Sequence, residues 1–205
     1  MSYFVTAIST NSGKTLVSAI LAEALQADYW KPIQSGLPRD TETVQSLISN
    51  PVTRFHKEQY FFKNPVSPHQ AAALENIRIT LSEIQLPTQN KIIVEGAGGI
   101  LVPINESEFI VDIIQKLKLP VVLVSNFYLG SINHTLLTFQ ELIKREISIA
   151  GIVFNGNPNP YSEQIILHHT QLKVLLRIPT LSRITKQEVR IFADEFLKNH
   201  DSAHN

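Results

Sequence analysis

The sequence predicts a single α/β domain with a mostly parallel sheet and helices on both faces. Three observations carry that prediction. Short apolar runs rich in β-branched residues alternate along the whole chain with stretches whose apolar positions recur every three to four residues. The runs are apolar at consecutive positions, as in Ile92-Ile93-Val94, which suits strands buried on both sides. The first run passes through a turn of small residues directly into a helical pattern, the step from which parallel sheets are wound.

The first strand is expected over Tyr3 to Ile8 and the first helix over Gly13 to Gln26, where Leu16, Ile20, Leu21 and Leu25 share a face. A second strand is expected over Tyr29 to Ile33. Pro32 within it cannot donate to a ladder, so the segment should leave regular pairing early. Helical spacing covers Thr41 to Ser49 and Pro68 to Glu75, and a third strand runs from Lys91 to Glu95. Helix and strand then alternate: Phe109 to Leu117, Val121 to Ser125, Ile132 to Arg145, Ile149 to Asn155, Tyr161 to Thr170, Val174 to Ile178 and Lys186 to His200. One domain over residues 1–200 is expected, with Asp201 to Asn205 as a frayed, disordered tail.

A chain of 205 residues buries roughly 70% of the surface its unfolded form exposes, enough for a core without disulfides or a structural metal. Lys plus Arg number 18 and Asp plus Glu number 18, so no overall field draws nucleic acid or an anionic membrane. The absence of Cys removes thiolate metal sites and cysteine nucleophiles and fits a reducing cytoplasm. No run approaches the ~18 apolar residues of a membrane span, and the first ten residues carry no basic group before their apolar run, unlike a signal peptide.

In such a sheet, ligands bind beyond the carboxyl ends of the strands. The first strand end reads Ser9-Thr10-Asn11-Ser12-Gly13-Lys14-Thr15. Small residues let successive backbone N–H groups face phosphate oxygens at a helix N-terminus, Lys14 can reach the outer phosphates, and the Thr15 hydroxyl can bind magnesium. The general motif wants Gly where Ile8 stands, and an ordinary strand-to-helix turn is the alternative. Lys31 lies in an apolar strand, where a charge is costly unless an anion meets it; a snorkelling side chain is the alternative. Asp40 reads as an N-cap or as a magnesium ligand. Glu95, followed by Gly96-Ala97-Gly98-Gly99, reads as a magnesium-binding acid at a strand end beside backbone that a ligand can approach, or as a solvated Glu before a plain turn. The Ser67-Pro68-His69 segment lacks an acid partner for nucleophilic catalysis and reads instead as shaping the substrate side, with Ser67 as a helix cap. His168 and His169 are adjacent and point apart on a helix, a poor metal pair.

The blocks YFVTAISTNSGKT, YWKPIQSG, the Asp40 segment, NPVSPHQAA, VEGAGGILVPI, NFYLGSINHTLLT, GIVFNGNPNP and RIPTL, in that order, resemble the dethiobiotin synthetase family over most of the chain. That family's loop reads G-T-x-T-x-x-G-K-T, one residue longer than the general motif, which accounts for Ile8. Ala7 replaces the family's Gly, Ser9 stands where many members carry Asp, and the Ser35 to Asp40 connection is short. The resemblance implies a phosphate-loop fold and an ATP- and magnesium-dependent ring closure in which 7,8-diaminononanoate takes up CO2 as a carbamate. ATP then phosphorylates the carbamate, and the neighbouring amine closes the ureido ring. It also implies Lys14 and Lys31 as catalytic residues and Thr15, Asp40 and Glu95 as magnesium ligands. ATP would be held by Asn11, Ser12, Gly13, Lys14, Thr15 and Leu16, by Glu95, Gly96, Ala97 and Gly98, and at the adenine by Asn155, Gly156, Ile178, Pro179 and Thr180. The diamine would meet Thr10, Lys31 and Ser35, with its distant carboxylate caught at Gly130, Ser131, Ile132 and Asn133 of a second subunit, making the protein a homodimer.

Two rivals share parts of this pattern. Another ATP-dependent, carboxylate-activating or amide-forming enzyme would need Lys14, Thr15 and Glu95 but neither Lys31 nor CO2. A nucleotide switch related to the partition and septum-site ATPases would carry an extra Lys near the start of the loop, and Tyr3 to Ser12 contains none.

Overall fold

The computed structural model describes residues 1–201. In chain order the strands are β1 (Tyr3–Ala7), β2 (Asp28–Trp30), β3 (Ile33–Ser35), β4 (Phe55–His56), β5 (Tyr60–Phe62), β6 (Ile92–Gly99), β7 (Val121–Asn126), β8 (Ile149–Asn155) and β9 (Val174–Ile178). The α-helices are α1 (Lys14–Leu25), α2 (Asp40–Leu47), α3 (Pro68–Leu74), α4 (Ile110–Leu117), α5 (Ser131–Lys144), α6 (Pro160–Thr170) and α7 (Lys186–Asp201). Among the described residues, seven strands form a parallel sheet in the order β4-β2-β6-β1-β7-β8-β9, and β3 pairs with β5 in a small second sheet. Of the tail expected over 201–205, Asp201 ends α7 and the rest lies outside the described residues.

Alternate residues of each central strand enter opposite cores. Tyr3, Val5 and Ala7 of β1 pack with Val17, Ile20 and Leu21 of α1, Val44 of α2 and Phe192 and Phe196 of α7. Phe4 of the same strand joins Val94, Leu123, Ile113 of α4, Leu142 of α5 and Ile166 of α6 on the other side. Burial on both faces is why these strands are apolar at consecutive positions, with only Thr6, Glu95 and Ser125 as buried polar residues in β1, β6 and β7 before the strand ends. Each large apolar side chain contributes roughly 1.5–3 kcal/mol. With β1 between β6 and β7, the rim of the sheet at its carboxyl end becomes the site.

The structure departs from the sequence expectation in three places that matter for that rim. The strand expected over Tyr29 to Ile33 is two: β2 ends at Trp30 in the large sheet, Lys31 and Pro32 belong to neither strand, and β3 belongs to the small sheet. Pro32 lacks the N–H that would continue the ladder, so the chain changes sheets there. The short strands β4 and β5 were not expected; two and three residues are too few to show a period. Finally, Glu95 does not end its strand. β6 runs on through the glycines, and its register against β1 passes from Val5↔Glu95 to Ala7↔Gly99, so Gly96, Ala97 and Gly98 form a bulge.

Candidate active site

The loop after β1 is shaped by its own small side chains. Ser9 Oγ lies 2.9 Å from Ser12 Oγ, and Ser12 Oγ donates to the Ser9 carbonyl at 3.1 Å. Asn11 (φ 61°) and Gly13 (φ 100°) adopt the left-handed conformation that turns the chain into α1. Gly13 is required twice over, because a Cβ there would also sit 2.2 Å from Asn155 Nδ2. Asn155, at the end of β8, donates from that nitrogen to the Ser12 carbonyl at 2.9 Å and so pins the loop from outside.

Lys14 folds back over the loop and donates to the Ser9 carbonyl at 3.1 Å. Burial, with the charge of Lys31 adding to it against the opposing pull of Glu95 and Asp40, lowers its pKa from 10.5 to about 8. A cation held in so uncomfortable a place gains from any incoming anion.

Lys31 sits in the gap between β2 and β3 with 5% of its surface exposed. Its ammonium donates to Glu95 Oε1 at 3.0 Å and also contacts Asp40 Oδ2. Burial pulls its pKa down, but the two carboxylates outweigh burial and leave it raised. The charge that was unaccounted for in an apolar run is thus paired, and the snorkelling alternative does not hold. Asp40 is the first helical residue of α2, not its N-cap; Arg39 takes that position without a side-chain bond. The short connection before it is held by Gln34, whose Oε1 accepts from Asp40 N and whose Nε2 donates to the Gly36 carbonyl, both at 3.2 Å. Thr41 Oγ1 donates to buried Glu58 at 2.7 Å, and Arg39 lies 4.2 Å over the Phe61 ring, fixing the residues on either side of Asp40.

Glu95 is 1% exposed and satisfied by three donors: Lys31 and Thr15 Oγ1, each 3.0 Å from Oε1, and the Tyr29 hydroxyl, 2.9 Å from Oε2. The solvated Glu of the alternative is excluded. Asp40 and Glu95 thus meet at the Lys31 ammonium and Thr15 bonds Glu95, and oxygen donors of this kind suit magnesium. Among the described residues no cluster of three His, Cys, Asp or Glu could hold a metal, so such an ion would draw its further ligands from water and phosphate.

These groups face one cavity of about 790 Å³. Thr10, Asn11, Gly13, Lys14, Thr15 and Leu16 form its phosphate-loop wall, Lys31, Ser35 and Asp40 a second wall, and Glu95, Ala97 and Gly98 a third. The Ser35 hydroxyl is buried there without a hydrogen-bond partner. Ser67 and Pro68 also line it, as expected of a segment that shapes the substrate side, and so do Gln34, Pro65, Val66 and Val102, which carried no sequence signal for binding. Ser67 occupies the N-cap position of α3 but does not cap it; its Oγ pairs with His69 Nδ1 at 3.1 Å. Ser12 and Gly96 shape the walls without lining them. Asn155, Gly156, Ile178, Pro179 and Thr180 lie outside the cavity, on the far side of the loop, where Gly156 N donates to the Ile178 carbonyl at 2.8 Å.

Gly130, Ser131, Ile132 and Asn133 open α5 and do not reach the cavity within this chain. Ser131 N already donates to the Tyr128 carbonyl at 3.0 Å, leaving Ile132 and Asn133 as the helix-start N–H groups without an intrahelical partner. A second cavity of about 460 Å³ shares Thr10 and Val102 with the first and is walled by Ile8, Leu101, Pro103 and, from α5, His134 and Leu137. No helix among the described residues is long and apolar enough to cross a membrane.

A family model described as an AAA domain matches residues 1–188. The chain is 54% identical over 200 residues to the ATP-dependent dethiobiotin synthetase BioD of Cytophaga hutchinsonii, covering 96% of this chain and 97% of that one. It is 44% identical to the protein of the same name from Christiangramia forsetii, covering 96% of each. Among solved structures, the septum site-determining protein MinD complexed with Mg-ADP from Pyrococcus horikoshii superposes with a TM-score of 0.61 at 14% identity, over 99% of this chain and 96% of that one. That likeness speaks to the fold alone. The near full-length sequence identity, with the phosphate loop, both lysines and both acids around one cavity, settles which branch of the fold this is: the chain belongs to the ATP-dependent dethiobiotin synthetase family.

Proposed function

We propose that this protein closes the ureido ring of 7,8-diaminononanoate with CO2 and ATP, giving dethiobiotin, ADP and phosphate. The observation that carries the proposal is that Lys14 and Lys31 face the same cavity together with Thr15, Asp40 and Glu95. The chemistry brings a carbamate up to a triphosphate, two anions that repel, and needs positive charge between them. Lys14 holds the outer phosphates against the loop amides. Lys31 holds the carbamate oxygen and the phosphoryl group that moves onto it. Ser35, whose hydroxyl is unpartnered, and Thr10 donate to the same substrate. The neighbouring amine then attacks the activated carbonyl carbon and phosphate leaves, with the protein forming no covalent bond of its own. Thr15, Asp40 and Glu95 would hold magnesium, which supplies charge neutralisation for the phosphates when bound.

Asn155, Gly156 and the Ile178-Pro179-Thr180 segment are assigned to adenine. One N–H of the Asn155 amide is engaged by the Ser12 carbonyl, which leaves the side-chain oxygen and the second N–H for the base. The diamine's carboxylate is assigned to the Ile132 and Asn133 N–H groups of a second copy, with Gly130 and Ser131 shaping that helix start. Exposed Leu101 and Leu137, which line the second cavity, support a homodimer in which that cavity is closed by the partner. The test is ADP release from magnesium ATP and bicarbonate, with and without 7,8-diaminononanoate. Turnover that depends on the diamine is expected; diamine-independent ATP hydrolysis would overturn the proposal.

A further inference from the structure

Tyr29 lies on β2 with no exposed surface, behind the cavity and not lining it. Its ring packs against Phe55, centroids 6.2 Å apart, and because Tyr29 is in register with Ile93, two residues before Glu95 on the same face of β6, its hydroxyl reaches along that face to Glu95 Oε2 at 2.9 Å. The other oxygen of that carboxylate carries everything on the cavity side: Lys31 and Thr15 both bond Oε1. Glu95 is also the last residue of β6 in register with β1 before the bulge, so the backbone ceases to be held by a regular ladder directly after it. A side chain at that point needs an anchor of its own.

We propose that Tyr29 is the positioning residue for Glu95. It pins Oε2 from behind so that Oε1 stays turned to the cavity, where the cation contends for it. This rests on Glu95 being a magnesium ligand. A tyrosine suits the task because its ring has few rotamers and is locked by the core, so the hydroxyl sits at a fixed height above the strand.

Tyr29→Phe deletes one hydroxyl and keeps the ring. Manganese binding, read by electron paramagnetic resonance in the presence of a non-hydrolysable ATP analogue, should weaken about tenfold to a hundredfold, the usual effect of removing a group that orients a metal ligand. Affinity for the analogue without metal should be unchanged, and the magnesium concentration for half-maximal rate should rise more than kcat falls. Tyr29→Met, which removes the hydroxyl through a different side chain, should shift manganese affinity the same way. If both variants bind manganese within about twofold of the parent while only their melting temperatures fall, Tyr29 is a packing residue and the proposal fails. Glu95→Gln separates the two levels. Loss of manganese affinity in Glu95→Gln but not in Tyr29→Phe refutes the positioning role alone, and no loss in either refutes the ligand role and the positioning role together.

Discussion

Lys31 Nζ and Glu95 Oε1 stand 3.0 Å apart, and the same ammonium holds Asp40, so one cation joins two acids that would otherwise repel. Removing one partner of a buried pair leaves the other uncompensated, generally at a cost of about 3–5 kcal/mol. Lys31→Ala should remain folded and bind nucleotide but lose at least about a hundredfold in turnover, as when one preorganised charge-stabilising group is removed. Its melting temperature should rise more on adding magnesium than the parent's does, because a dication between Asp40 and Glu95 then relieves repulsion that the parent never had. Steady-state kinetics and thermal melting with and without magnesium check both outcomes, and a near-normal rate would refute the role given to Lys31.

Lys14 should make nucleotide binding pH-dependent. Its pKa of about 8 in the free protein lies below its ordinary 10.5, so between those values the unfolded chain binds more protons and stability rises with pH. Below about 8 the burial penalty is felt in full. Phosphate beside the ammonium pushes the pKa back up, so above pH 8 nucleotide binding must take up a proton, and affinity should fall by up to about tenfold per pH unit. Titration calorimetry at pH 9 in two buffers of different ionisation enthalpy should show the uptake, and Lys14→Met should abolish it.

Gly13 and Asn155 should behave as a coupled pair. Gly13→Ala meets both a left-handed backbone, worth about 1–3 kcal/mol of strain, and the Asn155 amide 2.2 Å away. Nucleotide affinity and melting temperature should both drop. Adding Asn155→Ala removes the collision but not the strain, so the double variant should be more stable than the sum of the two single effects; strict additivity in thermal melts would show that Asn155 does not press on the loop.

The alternation of apolar runs and helical spacing was legible because burial on both faces leaves strands with no polar side to confuse the period, and β1, β7, β8 and β9 fell close to where they were expected. Lys31 was legible as a charge in an apolar strand and Glu95 as an acid at the end of one, but spacing alone left a snorkelling lysine and a solvated glutamate open. Less visible was anything decided by long-range register. The bulge of Gly96 to Gly98 exists only because β1 lies beside β6, and nothing within Glu95-Gly96-Ala97-Gly98 distinguishes it from a turn. Gln34 carried no signal, since its bonds to Asp40 and Gly36 depend on a loop closure that spacing does not reveal. Tyr29 was hidden for a simpler reason: an aromatic in a buried strand looks the same whether its hydroxyl is idle or bonded to an acid 66 residues away.

The division of the second strand has a mechanical consequence. Glu95 rides on the large sheet, while Asp40 follows the chain as it leaves the small one, and Lys31 stands at the crossing between them. The separation of the acids is therefore set by how the two sheets dock. Whatever cation lies between Asp40 and Glu95 fastens one sheet to the other, and exchanging it passes that load to the newcomer.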